Sequence, residues 1–373
     1  MAVDATPLLG RATGVGTFVS GLLAGLAGRP AETLASLDVS AYALSLRGWR
    51  RLGTVLPAGL GVRRGTMPAG LGLRAWPIVP VPRFEWFAGR ADVVHGTNFL
   101  VPPTGGGAVV TVHALVSLHY PEMVDSTSAR YPAGVRSAIR RGALVHTPSL
   151  FVAREVVEDF GADPDRVVAV AHGAPRAGRG DPVAGCAIAG GGRYVLALGT
   201  VEPRKGLPDL VRAFGMLADE DADLRLVLAG PDGWGLEAVE AATAELSKGL
   251  RRRVQRLGWV APGDRDDLLA GAAVLAYPSR YEGFGFPPLE AMAAGVPVVA
   301  TDAGALPEVL GAAAPLVPVG DVDALAAALA DALALDGPAR EAVVAAGRAH
   351  AATFTWAACA EGLAHAYAMA AGA

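Results

Sequence analysis

Cysteine is scarce in this sequence, since only Cys186 and Cys359 occur among 373 residues. Two cysteines so far apart exclude a disulfide framework and a cysteine zinc site, and they fit a reducing, cytoplasmic setting. Aromatic residues make up only 6% of the chain, although 52% of it is apolar. A net charge of −4 argues against a general nucleic-acid-binding surface. We therefore expect large apolar cores without covalent cross-links, and no nucleic acid as a partner.

Long hydrophobic runs are missing too, because no uninterrupted apolar stretch reaches the roughly 18 to 20 residues that span a bilayer. The segment TFVSGLLAGLAG, Thr17 to Gly28, resembles the apolar part of a signal peptide. Asp4 and the glycine-rich turn before this segment favour a buried amphipathic helix instead. The sequence therefore predicts a cytoplasmic protein that is at most peripheral to a membrane.

Two domains are expected from the length, because 373 residues exceed the roughly 250 to 300 that one hydrophobic core usually supports. In the second half, apolar strand patterns alternate with helical patterns, which is typical of βαβ units on a parallel sheet. The strand patterns are RYVLALGT, LRLVLAG, AVLAYPS and VPVVATD, and the helical pattern LPDLVRAFGMLA follows the first of them. Ligands of open parallel sheets bind at the carboxyl ends of the strands. The loops GTVEPRKG, AGPDGWG, PSRYEGFGF and TDAG should therefore line one crevice.

The first half carries a fainter version of the same pattern. Its candidate strands are Ala2 to Ala5, Ala41 to Leu46, Val93 to His95, Ala108 to Val112, Leu144 to Thr147 and Val167 to Val170. We predict an α/β fold of two Rossmann-like, doubly wound domains that face each other across a cleft. The boundaries are 1–175 for the first domain, 176–192 for a glycine-rich linker, and 193–352 for the second domain. An amphipathic helix within 353–373 either caps the second domain or crosses back to the first.

The stretch YEGFGFPPLEAMAAG, Tyr281 to Gly295, places two glutamates on either side of a turn of glycine, aromatic and proline residues. Pro287 and Pro288 predict a helix start and Gly295 a helix end, so Glu290 should lie in or near the first turn. Carboxylates accept hydrogen bonds from the vicinal hydroxyls of a ribose or a hexose. A plainer interpretation of the isolated pattern is that Glu290 complements a helix dipole and Glu282 is a solvated loop residue.

The sequence resembles the family 4 retaining glycosyltransferases (glycosyl transferases group 1), through segments spread over most of the chain. The specific segments are YVLALGTVEPRKGLPDLVRAF and PSRYEGFGFPPLEAMAAGVPVVATDAGALPEV; the looser ones are DATPLLGRATGVGTFV, DVVHGTNFLVPP and VVTVHALVSLHYPE. This resemblance implies the GT-B architecture, with a nucleotide sugar held between two Rossmann-like domains.

The resemblance also implies roles for individual residues of the second domain. Glu290 corresponds to the carboxylate that binds the ribose hydroxyls, and Glu282 to the carboxylate beside the donor sugar and its reacting carbon. Arg204 and Lys205 correspond to the cations that neutralise the diphosphate. The donor sugar would contact backbone groups of Gly283, Phe284, Gly285 and Phe286, and the base would meet the loop from Gly258 to Val260.

In the first domain, Gly14 and Gly16 match a glycine loop that closes on the phosphates, and His113 matches a histidine near the anomeric carbon. A tight turn and a buried structural histidine are the respective alternatives. The family commonly has an aspartate directly after this histidine, whereas this chain has Ala114. Donor binding is therefore a safer inference than catalytic strength.

The resemblance implies catalysis without a metal or other cofactor, because two cations take the place of a divalent ion at the phosphate. Two Asp-x-Asp patterns, Asp221 to Asp223 and Asp264 to Asp266, would suit a metal-bridged diphosphate. Both patterns occur in polar connections, so we interpret them as turn and capping residues.

The segment from Ala41 to Arg90 contains eight arginines against a single acidic residue, Glu85, together with tryptophans, leucines and prolines. Such a stretch suits anionic lipid headgroups or a phosphorylated, lipid-linked acceptor. An ordinary surface of the acceptor domain is an equal alternative.

Together these features predict a retaining, metal-independent hexosyltransferase that transfers a sugar from a nucleoside diphosphate to an acceptor hydroxyl. GDP-mannose is the preferred donor because the amino-terminal segment resembles mannosyl-transferring members, and UDP-sugars stay open. The acceptor is a carbohydrate, a lipid-linked sugar or a small molecule, for example in cell-envelope polysaccharide or glycolipid synthesis. A catalytically silent nucleotide-sugar-binding protein, a GT-B epimerase and a phosphorylase are the alternatives.

Overall fold

The computed structural model describes residues 1–10, 13–28, 38–174, 178, 180–218 and 221–372. The chain forms two compact units. Unit 1 comprises Met1–Gly173 together with Phe354–Ala373, and unit 2 comprises Ala174–Thr353. The structure thus assigns the carboxy-terminal helix to the first unit.

Unit 1 is built on a seven-stranded parallel sheet of order β3-β2-β1-β4-β5-β6-β7. Its strands are β1 Ala2–Asp4, β2 Ser40–Tyr42, β3 Gly61–Val62, β4 Val93–Gly96, β5 Gly107–Thr111, β6 Leu144–Thr147 and β7 Val167–Ala169. The central strands are buried along their length, as expected for parallel strands covered on both faces.

The helices of unit 1 cover this sheet. They are α1 Gly14–Ala27, α2 Trp49–Val55, α3 Ala69–Ala75, α4 Glu85–Ala88, α5 Val116–His119, α6 Tyr131–Arg140, α7 Leu150–Phe160 and α17 Trp356–Ala371. Short 3-10 turns lie at Thr6–Leu9, Pro121–Met123, Ser128–Arg130 and Pro164–Arg166. Helix α1 is the predicted buried amphipathic helix, with Phe18 and Leu22 in the core. A Cβ atom at Gly21 would lie 2.1 Å from the ring of Trp356, so glycine lets α1 and α17 pack closely.

Unit 2 repeats the scheme with a six-stranded parallel sheet of order β10-β9-β8-β11-β12-β13. Its strands are β8 Tyr194–Leu198, β9 Arg225–Ala229, β10 Val254–Gly258, β11 Val274–Tyr277, β12 Val298–Thr301 and β13 Leu316–Val317. Its helices are α8 Pro182–Ile188, α9 Leu207–Leu217, α10 Leu236–Glu245, α11 Lys248–Arg251, α12 Pro262–Gly271, α13 Phe286–Ala294, α14 Leu306–Leu310, α15 Val322–Ala334 and α16 Gly337–Ala351. Two 3-10 turns occupy Pro203–Lys205 and Gly311–Ala313. A core of aliphatic side chains and Phe214 lies between α9, α15 and the sheet.

Each strand predicted from the sequence is present, with ends shifted by a few residues at most sites. Strands β3, β10 and β13 were not predicted. The linker prediction for 176–192 was wrong in part, because α8 occupies Pro182–Ile188 and packs against α12. Residues 176, 177 and 179 of the predicted linker lie outside the described part of the chain. Asp181 begins α8 by accepting a hydrogen bond from the Val183 amide at 2.9 Å.

Within the described ranges, every helix is too short or too polar to cross a bilayer.

Candidate active site

The loops that follow β8, β9, β11 and β12 meet at one edge of the unit 2 sheet. The Val201 amide donates to the Pro231 carbonyl at 3.0 Å, and the Arg280 amide donates to the Arg204 carbonyl at 2.7 Å. The Ala305 amide donates to the Glu282 carbonyl at 2.8 Å. Backbone hydrogen bonds thus join the four loops that the sequence placed together. This edge is where open parallel sheets bind their ligands.

Two glycines allow these loops to touch through their backbones. Gly206 has a φ of +61°, and a Cβ atom there would lie 2.0 Å from the Pro278 carbonyl oxygen. Gly304 has a φ of +59°, and its Cβ atom would lie 2.3 Å from the Glu282 carbonyl oxygen. Only glycine suits both the left-handed conformation and the missing space. These contacts hold the basic pair and Glu282 at the same end of the sheet.

One carboxylate oxygen, Oε1 of Glu282, is the centre of the site. It accepts hydrogen bonds from Lys205 Nζ at 2.6 Å, Arg204 Nη1 at 3.0 Å, the Tyr277 hydroxyl at 2.9 Å and the Ser279 hydroxyl at 2.9 Å. Glu282 is buried and both cations are partly buried. Three of the charged groups predicted to share one ligand therefore lie in direct contact with one another.

The cations determine the charge state of Glu282. Burial alone would raise the pKa of Glu282, but attraction to Lys205 and Arg204, together with hydrogen bonds from Lys205 and Tyr277, lowers it to about 2. Burial and the neighbouring Arg204 lower the pKa of Lys205, although Glu282 opposes this shift. Burial also works against the charge of Arg204, but Glu282 and Glu202 outweigh it and raise the pKa of Arg204. The low pKa keeps Glu282 ionised at neutral pH, in contact with Lys205 and Arg204.

A second carboxylate supports Arg204 from the other side. Glu202 accepts a hydrogen bond from Arg204 Nε at 2.7 Å. Arg204 therefore uses Nε for Glu202 and Nη1 for Glu282, which fixes the plane of its guanidinium. Such preorganisation suits a group that must meet a phosphate without rearranging.

Sequence reasoning missed Tyr277 and Ser279, which lie at and just beyond the end of β11. Lys205 Nζ donates to the Tyr277 hydroxyl at 2.8 Å and lies 4.7 Å from the centre of the tyrosine ring. Burial and the neighbouring Glu282 raise the pKa of Tyr277 well above its usual value, so the hydroxyl stays protonated and donates a hydrogen bond to Glu282. The sequence signal that could have indicated Tyr277 and Ser279 was their position at the end of a strand, just before Glu282.

A pocket lies beside this cluster at the carboxyl ends of β8 and β11. Gly199, Thr200, Val201, Lys205, Tyr277 and Pro278 line it. The pocket is formed within unit 2 and has Lys205 on its wall.

Glu290 is held separately, by Arg265 of helix α12. Nη2 of Arg265 donates to Glu290 Oε2, and the Glu290 side chain is buried. Helix α13 begins at Phe286, near the predicted prolines, and ends before Gly295 in the left-handed conformation, as expected. Glu290 is the fifth residue of α13, at the start of the second turn, which agrees with the expectation that it lies in or near the first turn. The helix starts at Phe286, one residue before the first proline.

The remaining donor-site predictions of unit 2 fall on the same sheet edge. Gly283, Phe284 and Gly285 are buried between β11 and α13, and Phe286 begins the helix. The Phe284 and Phe286 rings form an edge-to-face pair with centroids 5.2 Å apart. Gly258 ends β10, and Gly258 and Val260 are partly exposed on either side of the exposed Trp259. The Gly230 amide donates to the Gly258 carbonyl at 2.8 Å, which joins this loop to the others.

In unit 1, Gly14 and Gly16 belong to the first turn of α1 rather than to a loop, and their role at the phosphates stays a prediction. Thr13 caps the helix, and its hydroxyl accepts a hydrogen bond from the Gly16 amide at 3.1 Å. Gly14 is exposed and Gly16 is buried.

His113 is partly exposed and belongs to a group of histidines around Phe18. Its Nε2 donates to the Thr97 carbonyl at 2.8 Å, so Nδ1 of the neutral ring accepts from His172 Nε2 at 3.4 Å. Burial lowers the pKa of His113 to about 4, although the bond to Thr97 opposes this shift. The ring is therefore neutral at pH 7, and its role beside the anomeric carbon stays a prediction.

The Asp-x-Asp patterns occupy a turn and a helix start. Asp221 Oδ1 accepts from the Asp223 amide at 3.0 Å, and Asp264 lies in the first turn of α12. Among the described residues, no group of three or more histidine, cysteine, aspartate or glutamate side chains is arranged to hold a metal ion.

Comparison with known proteins assigns this site to a family. The model of the family described as glycosyl transferases group 1 matches residues 192–334. The O-antigen chain mannosyltransferase B of Escherichia coli is 33% identical over 277 residues, which cover 72% of this chain and 71% of that protein. This chain belongs to the glycosyl transferases group 1. This chain is also 38% identical over 308 residues to the D-inositol 3-phosphate glycosyltransferase of Nocardia farcinica (strain IFM 10152). The match covers 76% of this chain and 65% of that protein. The chain is therefore a glycosyltransferase, a hexosyltransferase enzyme.

Solved structures of low sequence identity share the fold. WaaG, a glycosyltransferase involved in lipopolysaccharide biosynthesis, has a TM-score of 0.69 at 17% identity over 100% of both chains. Anabaena Alr3699/HepE in complex with UDP and glucose has a TM-score of 0.69 at 18% identity over 98% of both chains. The predicted α/β class and GT-B fold are confirmed.

Proposed function

We propose that this protein transfers mannose from GDP-mannose to an acceptor hydroxyl, with retention of anomeric configuration and without a metal ion. The observation that carries the sugar assignment is the 33% identity to a protein named as a mannosyltransferase over 72% of this chain. The observation that carries the chemistry is the contact of Arg204, Lys205 and Glu282 at the ligand-binding edge of the unit 2 sheet.

The first chemical task is to stabilise the leaving group. Breaking the bond between the anomeric carbon and the phosphate oxygen places negative charge on the departing diphosphate. Arg204 and Lys205 are already oriented, partly buried and close together, so their charges act with little reorganisation. Two such cations serve where other enzymes use a divalent ion, and added chelator should therefore leave transfer unchanged.

The second task is to stabilise the sugar. Positive character develops on the ring as the leaving group departs, and a carboxylate fixed as an anion stabilises it. Glu282 meets this requirement because its pKa is lowered to about 2. The acceptor oxygen then bonds to the anomeric carbon on the face that the phosphate leaves, and its proton passes to the departing phosphate oxygen. Glu290, buried on the neighbouring helix, binds the ribose hydroxyls of the nucleotide.

The acceptor fits a hydroxyl of a growing polysaccharide or glycolipid of the cell envelope. The arginine-rich segment 41–90 supports presentation of this acceptor at an anionic membrane surface. We accordingly place the protein in the cytoplasm, peripheral on the inner face of the membrane.

A donor panel tests the proposed reaction. Purified protein is incubated with GDP-mannose, UDP-glucose, UDP-N-acetylglucosamine or ADP-glucose and candidate acceptors, with and without EDTA, and nucleoside diphosphate release is measured. We expect release to be fastest from GDP-mannose and unaffected by EDTA. NMR of the product should show the α-anomer that the donor carries; an inverted centre would refute retention.

Matched substitutions assign the activity to the site. Glu282→Ala and Arg204→Ala should each lower transfer at least about a hundredfold. Arg212→Ala serves as the control, because Arg212 forms an exposed ion pair with Glu245 elsewhere in unit 2. Donor binding without turnover over the whole acceptor panel would instead identify a silent nucleotide-sugar-binding protein.

A further inference from the structure

The loop 77–83 of unit 1 exposes an unusual run of apolar side chains. Ile78 is 83% exposed, Val79 is 43% exposed and Val81 is 39% exposed, and Pro80 between them is also exposed. Trp86, shortly after the loop, is 68% exposed. Folded proteins rarely leave consecutive large apolar residues in water unless a partner covers them. We call this run, residues 78–81, the apolar tip.

Both ends of the loop that carries the apolar tip are anchored in the core of unit 1. Trp76 and Phe84, on either side of the loop, are 1% and 0% exposed. Nε1 of Trp76 donates to the Pro82 carbonyl at 3.0 Å, which ties one end of the loop to the other. The Phe84 amide donates to the Pro103 carbonyl at 2.7 Å. Since both ends are anchored in the core, the exposure of the tip is built into the fold of the segment.

The segment that carries the apolar tip is strongly basic. Seven of the eight arginines between Ala41 and Arg90 are exposed, and Arg74 and Arg83 flank the loop in the sequence. The one acidic residue, Glu85, is engaged within the unit, where Oε1 accepts from the Thr104 hydroxyl and the Gly105 amide at 2.7 Å each. An apolar tip within a basic segment matches the apolar interior and anionic headgroups of a lipid bilayer.

We propose that the apolar tip of loop 77–83 inserts into an anionic membrane while the surrounding arginines bind lipid phosphates. This inference deepens the membrane-surface part of the proposed function by naming the element that enters the bilayer. A second copy of the chain is a poorer occupant, because a two-fold interface through this loop would bring each arginine cluster against its own copy. Exposed tryptophan is also common at membrane interfaces.

Vesicle sedimentation tests the proposal. The full-length protein is mixed with vesicles of phosphatidylcholine alone or with about 30% phosphatidylglycerol, and the bound fraction is measured at low and high salt. We expect binding only to the anionic vesicles, with loss of binding at high salt. Ile78→Asp should weaken this binding about tenfold or more, because an apolar contact is replaced by a charge of the wrong sign.

Control variants separate the tip from general charge and from folding. Val183→Asp adds the same charge at a 75% exposed apolar residue of unit 2. It should leave vesicle binding within about twofold of the parent, because it adds one charge without altering the apolar tip. Arg83→Gln should weaken binding and reduce its salt dependence. Thermal unfolding and GDP binding should be unchanged in Ile78→Asp, since its side chain contributes little to the core.

Three outcomes would overturn the proposal. The first is equal binding of Ile78→Asp and the parent protein to anionic vesicles. The second is absence of vesicle binding by the parent protein. The third is a concentration-dependent dimer that Ile78→Asp abolishes, which would identify a second copy as the occupant. None of these results alters nucleoside diphosphate release with a water-soluble acceptor, so failure of this inference and failure of the proposed transfer reaction are distinguishable.

Discussion

Lys205 Nζ lies 2.6 Å from Oε1 of Glu282 and donates a hydrogen bond to it. The cation that we propose for the diphosphate is therefore paired with the carboxylate that we propose for the sugar. Arg204 shares the same oxygen at 3.0 Å. Glu282 thus stabilises a partly buried pair of like charges.

The first prediction concerns Glu282→Gln. Removal of this anion leaves Arg204 and Lys205 partly buried without their common partner. We therefore expect the free energy of unfolding to fall by about 3 kcal/mol and the melting temperature to fall by several degrees. GDP should then raise the melting temperature of the variant more than that of the parent, because the diphosphate supplies the missing negative charge. Differential scanning fluorimetry with and without GDP measures both effects.

Glu245→Gln is the matched control for this experiment, because Glu245 is exposed and pairs with Arg212 away from the site. Its melting temperature and its response to GDP should equal those of the parent. A GDP-induced shift that is the same in Glu282→Gln and the parent would show that the diphosphate does not meet these cations.

The second prediction uses opposite effects at Glu290 and Arg265. Glu290→Gln should weaken GDP binding about tenfold, because a charged hydrogen bond to the ribose, about 1.5 kcal/mol, is lost. Arg265→Ala should strengthen GDP binding, because Glu290 then no longer has to leave its ion pair with Arg265 in order to bind the ribose hydroxyls. Isothermal titration calorimetry measures both constants.

A nucleotide without ribose hydroxyls is the control for that pair of variants. With 2′,3′-dideoxy-GDP, the effect of Glu290→Gln should disappear. Persistence of the full tenfold loss would place Glu290 in a structural role and would count against the assignment of the ribose site.

The third prediction concerns Tyr277, which touches both Lys205 and Glu282 through one hydroxyl. Tyr277→Phe keeps the ring beneath Lys205 but removes this hydroxyl. We expect kcat to fall about tenfold, the equivalent of about 1.4 kcal/mol, while KM for the donor changes little. A fall in thermal stability with unchanged kcat would mean that the hydroxyl only supports the fold.

Much of this site was predictable because parallel strands impose their own geometry. Arg204 and Glu282 are 78 residues apart, yet each follows a strand of one sheet, and the carboxyl ends of such strands must meet. Tyr277 and Ser279 were not predictable in the same way. Their position in the sequence beside Glu282 was known. Which oxygen each hydroxyl contacts, however, depends on side-chain packing, and strand patterns do not specify that packing.

Elements that depend on tertiary contacts also escaped prediction. Strands β3 and β13 have two residues each, which is too short for a periodic pattern. Helix α8 looked like a linker because of its glycine and proline. Its Gly185 lies against α12, where a Cβ atom would be 1.9 Å from the Asp267 carbonyl oxygen. Glycine there permits packing between two helices, and packing overrides the local preference.

The fourth prediction follows from four histidines of unit 1, of which His113 is partly buried and the other three are buried. Burial lowers the pKa of His146 to about 3 and of His113 to about 4, and it lowers those of His95 and His172 well below the usual value. The unfolded chain therefore binds more protons than the folded one below pH about 6.5. Stability should fall between pH 6.5 and 4, by about 1.4 kcal/mol per pH unit for each histidine once titration is complete in the unfolded state. Urea unfolding at pH 7, 6 and 5 measures this slope, and a flat profile would contradict it.

The fifth prediction has the opposite sign and concerns Asp4, at the end of β1. Burial raises the pKa of Asp4 to about 6, although hydrogen bonds from the Thr6 hydroxyl and amide oppose this shift. A raised carboxyl pKa means that the folded protein holds the proton on Asp4 more tightly than the unfolded chain does. The stabilisation of the folded state that results is present below pH about 4 and is lost as the pH rises through 6. Asp4→Asn cannot ionise and keeps an oxygen for Thr6. It should match the parent at pH 4 and exceed its stability by about 3 kcal/mol at pH 8, two pKa units of linkage. Equal stability of the two proteins at pH 8 in urea unfolding would show that Asp4 ionises in the folded state without cost.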